Sequence, residues 1–175
     1  MGGVDEGAGG PAEPAAHEPQ WLDERELRAW KCLLVAGSVL NRRVEQQLKE
    51  AAGLSHPQYE VLSRLSAAPG GALRMTELAA AALTSKSGLS YQAAQLEKAG
   101  LVRRDACPGD ERGVAARLTE EGWRKVRGTA PGHAALVREL FVDGLTPQEF
   151  AALSLGLEAL CAALSRAEPD PPRPS

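Results

Sequence analysis

A chain of 175 residues, 43% hydrophobic and 25% charged, has the size and apolar content of one folded domain with a substantial core. No apolar run approaches the roughly 18 to 20 uncharged residues of a membrane span, and the N-terminus lacks the basic and apolar regions of a secretory leader, so no membrane association is expected and the cytoplasm is the expected compartment. The net charge of -3 at pH 7 argues against a polyanionic partner, yet four acidic residues and no Lys or Arg fall within residues 1–20, whereas residues 72–127 hold ten basic side chains against seven acidic ones.

Residues 1–20 are rich in Gly, Ala, Pro and acid and read as a disordered acidic tail; residues 167–175 read as a disordered Pro-rich one. From Asp23 to about Ala51 there is no proline. Leu27, Trp30, Leu33, Leu34, Leu40, Val44 and Leu48 place apolar groups on more than one side of a long helix, more than one core would cover. Gly53 ends it, Ser55 can cap the next helix with Pro57 in its first turn, and Tyr59, Leu62 and Leu65 line one face. After the turn at Pro69-Gly70-Gly71, a third helix from Thr76 carries Leu78, Ala79 and Leu83. A fourth runs from Ser85 to Ala99 with Gly100 as its cap, and two short helices in succession suggest a helix-turn-helix.

Residues 101–107 and 114–118 flank a Pro/Gly/Asp-rich tip and predict a β-hairpin. A helix following Thr119 should reach Phe141, with Pro131 kinking it near Arg127. The last helix starts at Thr146-Pro147-Gln148-Glu149, a cap, a proline at N1 and an acid at N3. Phe150, Leu153, Leu157, Leu160 and Leu164 follow at spacings of three and four, a stripe suited to another helix.

The fourth helix is the most informative. Turning Leu89, Ala93 and Leu96 inward sets Ser87, Tyr91, Ala94, Gln95 and Lys98 on the other side at 100° per residue. Ser87 can bond a phosphate near the helix N-terminus, Gln95 can pair with an adenine edge, and Tyr91 can reach a phosphate or a thymine methyl. Such a face also suits a merely solvated helix, but the basic hairpin that follows favours nucleic acid.

Five pieces in order now resemble the MarR family of bacterial transcriptional regulators. They are Tyr59-Glu60-Val61-Leu62, Leu73-Arg74-Met75-Thr76-Glu77-Leu78-Ala79, Ser85-Lys86-Ser87-Gly88-Leu89-Ser90, Leu96-Glu97-Lys98-Ala99-Gly100-Leu101-Val102-Arg103-Arg104, and Asp110-Glu111-Arg112-Gly113 with Leu118-Thr119. The resemblance covers residues 21–166 and implies a mainly α fold with a small β-hairpin wing: a winged helix-turn-helix lobe over 54–118 between dimerisation helices at 21–52 and 119–166. It implies a homodimer on double-stranded DNA with a pseudo-palindromic operator, acting as a repressor. Contacts would come from Ser85, Lys86, Ser87, Ser90, Tyr91, Gln92 and Gln95 of the recognition helix, from Arg74, Arg104 and Arg117, and from Asp110 bracing a minor-groove Arg112. Many members carry arginine at the positions of Tyr91 and Gln95.

The resemblance also implies a small aromatic or anionic ligand between the dimerisation helices and the DNA-binding lobe, for which Trp30, Tyr59 and Trp123 are the aromatic candidates; core packing is their alternative use. Cys32, beside Lys31, raises thiol redox sensing as an alternative regulatory input, and a winged helix serving only protein contacts is another alternative. The three widely spaced cysteines, Cys32, Cys107 and Cys161, offer no disulfide framework, and they and His17, His56 and His133 match no metal spacing. No phosphate loop, nucleophile elbow or His-Glu-x-x-His sequence occurs, so neither catalysis nor a cofactor is expected.

Overall fold

The computed structural model of the protein describes residues 19–81, 86–107 and 110–167. The chain divides into two units, Met1–Ala36 and Gly37–Ser175. In the first, helix α1 (Glu24–Ala52) begins behind Asp23, whose carboxylate accepts from the Glu26 N–H at 2.8 Å while Glu26 accepts from the Asp23 N–H at 2.8 Å. This reciprocal cap satisfies donors that a helix start otherwise leaves to water. Trp21, Leu22, Leu27, Trp30, Leu33, Leu34 and Val35 of this unit are all exposed.

In the second unit, α1 continues to Ala52 and buries Val44 and Leu48. Helix α2 (His56–Ala67) opens on Ser55, with Pro57 in its first turn and a full capping box to Gln58. A 3-10 turn at Pro69–Gly71 leads to β1 (Ala72–Arg74), α3 (Met75–Ala81) and α4 (Lys86–Lys98). Strands β2 (Val102–Cys107) and β3 (Asp110–Leu118) form the hairpin, and α5 (Glu120–Val137) and α6 (Pro147–Ala167) follow. The chain is thus mainly helical with one small antiparallel sheet, in the order β1-β3-β2. Of the expected tails at 1–20 and 167–175, residues 1–18 and 168–175 lie outside the described residues, as do Leu83, Ser85 and residues 108–109 of the hairpin tip; Ala167 is the last residue of α6, and β3 begins at Asp110, inside the expected tip.

The core gathers Leu48, Leu62, Leu65, Leu78, Leu89, Leu96, Val102 and Leu118 in one cluster of buried side chains. Each such side chain contributes about 1.5–3 kcal/mol by leaving water. Two junctions fix the hairpin to the helices. At Gly100, φ +71°, the Leu101 N–H bonds the Leu96 carbonyl at 2.9 Å and the Gly100 N–H bonds the Glu97 carbonyl at 2.9 Å, a Schellman end that turns the chain from α4 into β2. At the far end of β3, the Thr119 N–H returns to the Leu101 carbonyl at 3.1 Å, and the Thr119 hydroxyl caps α5 by accepting from Gly122 at 3.0 Å.

Two features depart from the sequence reading. Strand β1, three residues pairing Ala72 with Arg117, Leu73 with Ala116 and Arg74 with Ala115, is too short to show an alternating pattern. The helix expected to reach Phe141, with a kink near Arg127, carries an irregularity further on that the sequence did not announce. Helix α5 runs through Pro131 to Val137, and the irregularity is a π-helical turn at Arg138–Val142, where the Asp143 N–H reaches back five residues to the Arg138 carbonyl at 2.8 Å. Pro131 deprives only the Arg127 carbonyl of its helical donor; Arg127 is exposed, where water can replace that bond.

Two predictions follow from this packing. A Cβ at Gly122 would meet the Leu101 carbonyl oxygen at 2.1 Å and Leu118 Cδ2 at 3.0 Å, so Gly122→Ala must push α5 off the sheet. The expected loss is about 2–3 kcal/mol, a fall in melting temperature of roughly 5–10 °C; an unchanged melting temperature would contradict the close approach. His133 packs against Tyr59 with ring centroids 4.7 Å apart, and burial, then the charge of His56, holds its pKa below the ordinary value. Protonation therefore disfavours the fold: the stability from neutral His133 is full above about pH 6.5 and is lost as pH falls through the lower folded value. Thermal melts of the wild type should decline on acidification in that window, and His133→Gln should decline less steeply; parallel profiles would exclude His133 as a source.

Candidate nucleic-acid interface

The rotation of α4 follows from its buried stripe. Leu89, Ala93 and Leu96 are buried to within 1% of complete, which turns Ser87, Ser90, Tyr91 and Lys98 outward. Tyr91 keeps 61% of its surface, a large exposed group on a helix with no arginine. Gln92 and Gln95 are half-buried on its flanks. Gln95 lines a separate cleft of about 480 Å³ with Leu54, Gln58, Leu101, Glu121 and Lys125, so it stands at the edge of the outward face and not at its centre. The backbone of Lys86 opens α4 and that of Asp110 and Arg112 belongs to β3, but these side chains are outside the described set.

A second cavity, of about 410 Å³, lies between the outward side of α4 and the wing. Arg74, Thr76, Ser90, Arg104 and Gly113 line it, so two helices and the three strands of the sheet converge on one groove with two guanidinium-bearing residues in its wall. Thr76, which the sequence reading assigned only to a helix start, belongs to this lining. Arg74 sits where β1 meets α3, its backbone N–H held by Glu77 at 3.0 Å.

The basic hairpin is less free than the residue count implies. Arg104 bonds Glu97 at 2.7 Å; Arg103 pairs with Asp105 at 3.1 Å; Arg117 lies 3.8 Å from the same Asp105 and donates to the Gly70 carbonyl at 3.0 Å. The hydrogen bond from Arg104 is the main reason the Glu97 carboxyl is held below its ordinary range. All these pairs are substantially exposed, so each contributes little stability while fixing where a guanidinium points.

Of the three aromatic candidates for a ligand site, Trp30 belongs to the first unit and Tyr59 and Trp123 to the second. Trp30 is half exposed on α1, Tyr59 is buried against His133, and Trp123 covers Gly71 with Arg127 stacked 5.8 Å from its ring. Packing accounts for Tyr59 and Trp123. Among the described residues, however, two buried polar atoms lack hydrogen-bond partners, His133 Nδ1 on α5, beside Tyr59, and Gln47 Oε1 on α1. The open cavity beside Gln47, about 690 Å³, is lined also by Arg43, Gln46, Glu50, Ala51 and Leu136. Cys32 and Cys161 are exposed free thiols. Among the described residues no three His, Cys, Asp or Glu side chains converge as metal ligands, and no helix is long and apolar enough to cross a membrane.

Comparisons with known proteins place the chain in a family. A sequence profile of the MarR family matches residues 52–113, which span α2 through most of the hairpin. The uncharacterized HTH-type transcriptional regulator YfiV of Bacillus subtilis (strain 168) is 34% identical over 116 residues, 66% of this chain and 70% of that protein. The transcriptional regulator HosA of Escherichia coli O111:H- is 34% identical over 100 residues, 57% of this chain and 72% of its own length. Among solved structures, Sco3205 of Streptomyces coelicolor, a MarR family transcriptional regulator crystallised in complex with DNA, superposes with a TM-score of 0.81 at 40% identity, covering 85% of this chain and 93% of that one. AbsC, a MarR family transcriptional regulator of the same organism, gives 0.81 at 39% identity over 86% of this chain and all of its own. With a relative 34% identical over 70% of its length and a DNA-bound structure 40% identical over 93% of its own, the chain belongs to the MarR family of transcriptional regulators, which are DNA-binding proteins and not enzymes.

Proposed function

We propose that this regulator is a repressor that binds a pseudo-palindromic operator as a homodimer. The observation that carries this reading is the groove lined by Arg74, Ser90, Arg104 and Gly113 beside the exposed Ser87–Tyr91 face of α4, which offers a helix and a wing to one duplex. Recognition then falls to Ser87, Ser90 and Tyr91, with Ser85 and Lys86 at the helix start, Gln92 alongside, and Asp110 and Arg112 in the wing. Gln95, at the edge of the outward face, has the lesser part. Arg117, held to Gly70 and Asp105, orients the wing strand. Residues 54–118 form the DNA-binding lobe in this reading, and 21–52 and 119–166 the dimerisation helices. A dimer covering two half-sites about ten base pairs apart excludes other proteins from that DNA, which is the physical basis of repression.

Dimerisation is supported by apolar groups left in water. Leu153, Leu155, Leu160 and Leu164 on α6 are exposed, as are Trp21, Leu27, Trp30 and Leu34 at the other terminus. A second copy supplies the matching surface by symmetry. The unpartnered Gln47 and His133 atoms support a small-molecule effector that hydrogen-bonds there and alters DNA affinity.

Fragments of the gene's own upstream region, titrated with the protein across a salt series, test the reading; equal affinity for those fragments and for random DNA would refute it. Leu157→Glu with Leu160→Glu should abolish dimerisation and DNA binding together, as followed by sedimentation and anisotropy. A wild-type monomer at micromolar concentration would exclude the dimer. Within the recognition surface, Tyr91→Ala should weaken operator binding by about tenfold and Gln95→Ala by less than about twofold. Arg112→Ala should weaken specific and non-specific binding alike and lower the salt slope by about one; a loss confined to the operator would mean that Arg112 reads bases.

A further inference from the structure

A winged helix must present its helix and its wing to DNA at a fixed mutual angle, and most of that angle depends on a short turn through Gly100. One side chain spans it. Glu97, in the last turn of α4, accepts from the Arg104 side chain at 2.7 Å and from the Arg104 backbone N–H at 3.3 Å. Arg104 lies on β2, an edge strand of the sheet, opposite Ala116 of β3. In an antiparallel pair every second N–H of an edge strand points away from its neighbour, and this one is taken by Glu97 instead of water. The same carboxylate therefore holds both the backbone of the wing and the guanidinium that forms part of the groove wall beside Ser90 and Arg74.

We propose that Glu97 is a positioning residue for DNA binding: it ties β2 to the end of the recognition helix through Arg104, and Arg104 serves as a strut instead of a phosphate contact. This rests on the DNA-binding reading above and reassigns one of its arginines. The two roles differ in sign. If Arg104 were a phosphate contact restrained by Glu97, removing the carboxylate would free a cation and delete a negative charge near DNA, so binding would tighten. If the pair is a brace, removing either member loosens the helix-wing angle and binding weakens.

The test uses the full chain with Glu97→Ala, Arg104→Ala and the double substitution, measured by anisotropy on upstream-region DNA across a salt series and by amide hydrogen exchange without DNA. The pair is exposed, so melting temperatures should stay near the wild type. Each single variant should lose about tenfold in affinity, the double should be no worse than either single, and the salt slope should be unchanged. Exchange at Arg104 and its neighbours in β2 should quicken by about tenfold while α2 is unaffected. Tighter binding by Glu97→Ala, or a slope lower by about one in Arg104→Ala, would overturn the proposal, as would quicker exchange with unchanged affinity. Should the wild type bind no upstream fragment, the DNA-binding reading fails on that result, and unaltered exchange in Glu97→Ala would separately remove the brace.

Discussion

The burial of Leu89, Ala93 and Leu96 determines what this protein can offer a partner. A helix of 13 residues has one rotation that hides those three groups against the lobe core, and that rotation presents Ser87, Ser90 and Tyr91 to solvent. Isolated, such a helix would be marginal. Its stability, and hence the direction of its outward face, comes from Leu62, Leu65, Leu78 and Val102 around it.

Both ends of the wing meet this core at Leu101. The Leu101 N–H closes the end of α4, its carbonyl receives the Thr119 N–H and limits the approach of Gly122, and its side chain is buried. Entry to and exit from the hairpin therefore share an anchor, and α5 starts from that same point. Thr119 adds a second tie by donating its hydroxyl to the Gly100 carbonyl at 2.7 Å while capping α5. Lys125, one turn further on, donates to the Ala52 carbonyl at 3.2 Å and so links α5 to the end of α1. A displacement of α1 relative to α5 has a short, hydrogen-bonded route to the hairpin, which is what an effector near Gln47 and His133 would need.

What was legible in the sequence is what local chemistry decides. Thr146-Pro147-Gln148-Glu149 announced a helix start, and Thr146 and Glu149 do cap each other, with bonds of 2.7–3.3 Å. Ser55, Gly100 and the Leu89/Ala93/Leu96 stripe were likewise readable because propensity, capping and periodicity act within a few residues. Strand β1 was not, since three residues carry no period and its pairing partner lies over forty residues away. Pro131 was legible because the missing N–H is a local fact, whereas the π-helical turn at Arg138–Val142 carried no such local mark. Among candidate contacts, helical geometry gave Tyr91 its exposure, but Gln95 is half-buried and lines a cleft shared with the α1–α2 junction, which no helical wheel contains. The carboxylates that hold Arg103, Arg104 and Arg117 were equally hidden: they were counted as opposing charge, and their geometry makes them supports.

That last point resolves the tension between a net charge of -3 and a DNA partner. If affinity rested on loose surface cations, neighbouring acids would simply subtract from it. Here Glu97 and Asp105 lie within bonding distance of arginines on the hairpin, where each carboxylate trades long-range attraction for a defined guanidinium direction. Long-range attraction is screened within about 8 Å at physiological salt, while a pre-aimed wing loses less conformational entropy when it docks. An acidic chain with a braced hairpin is accordingly suited to discriminate one groove shape among many at the expense of non-specific affinity, and its binding should depend on salt less steeply than the ten basic residues of 72–127 would suggest.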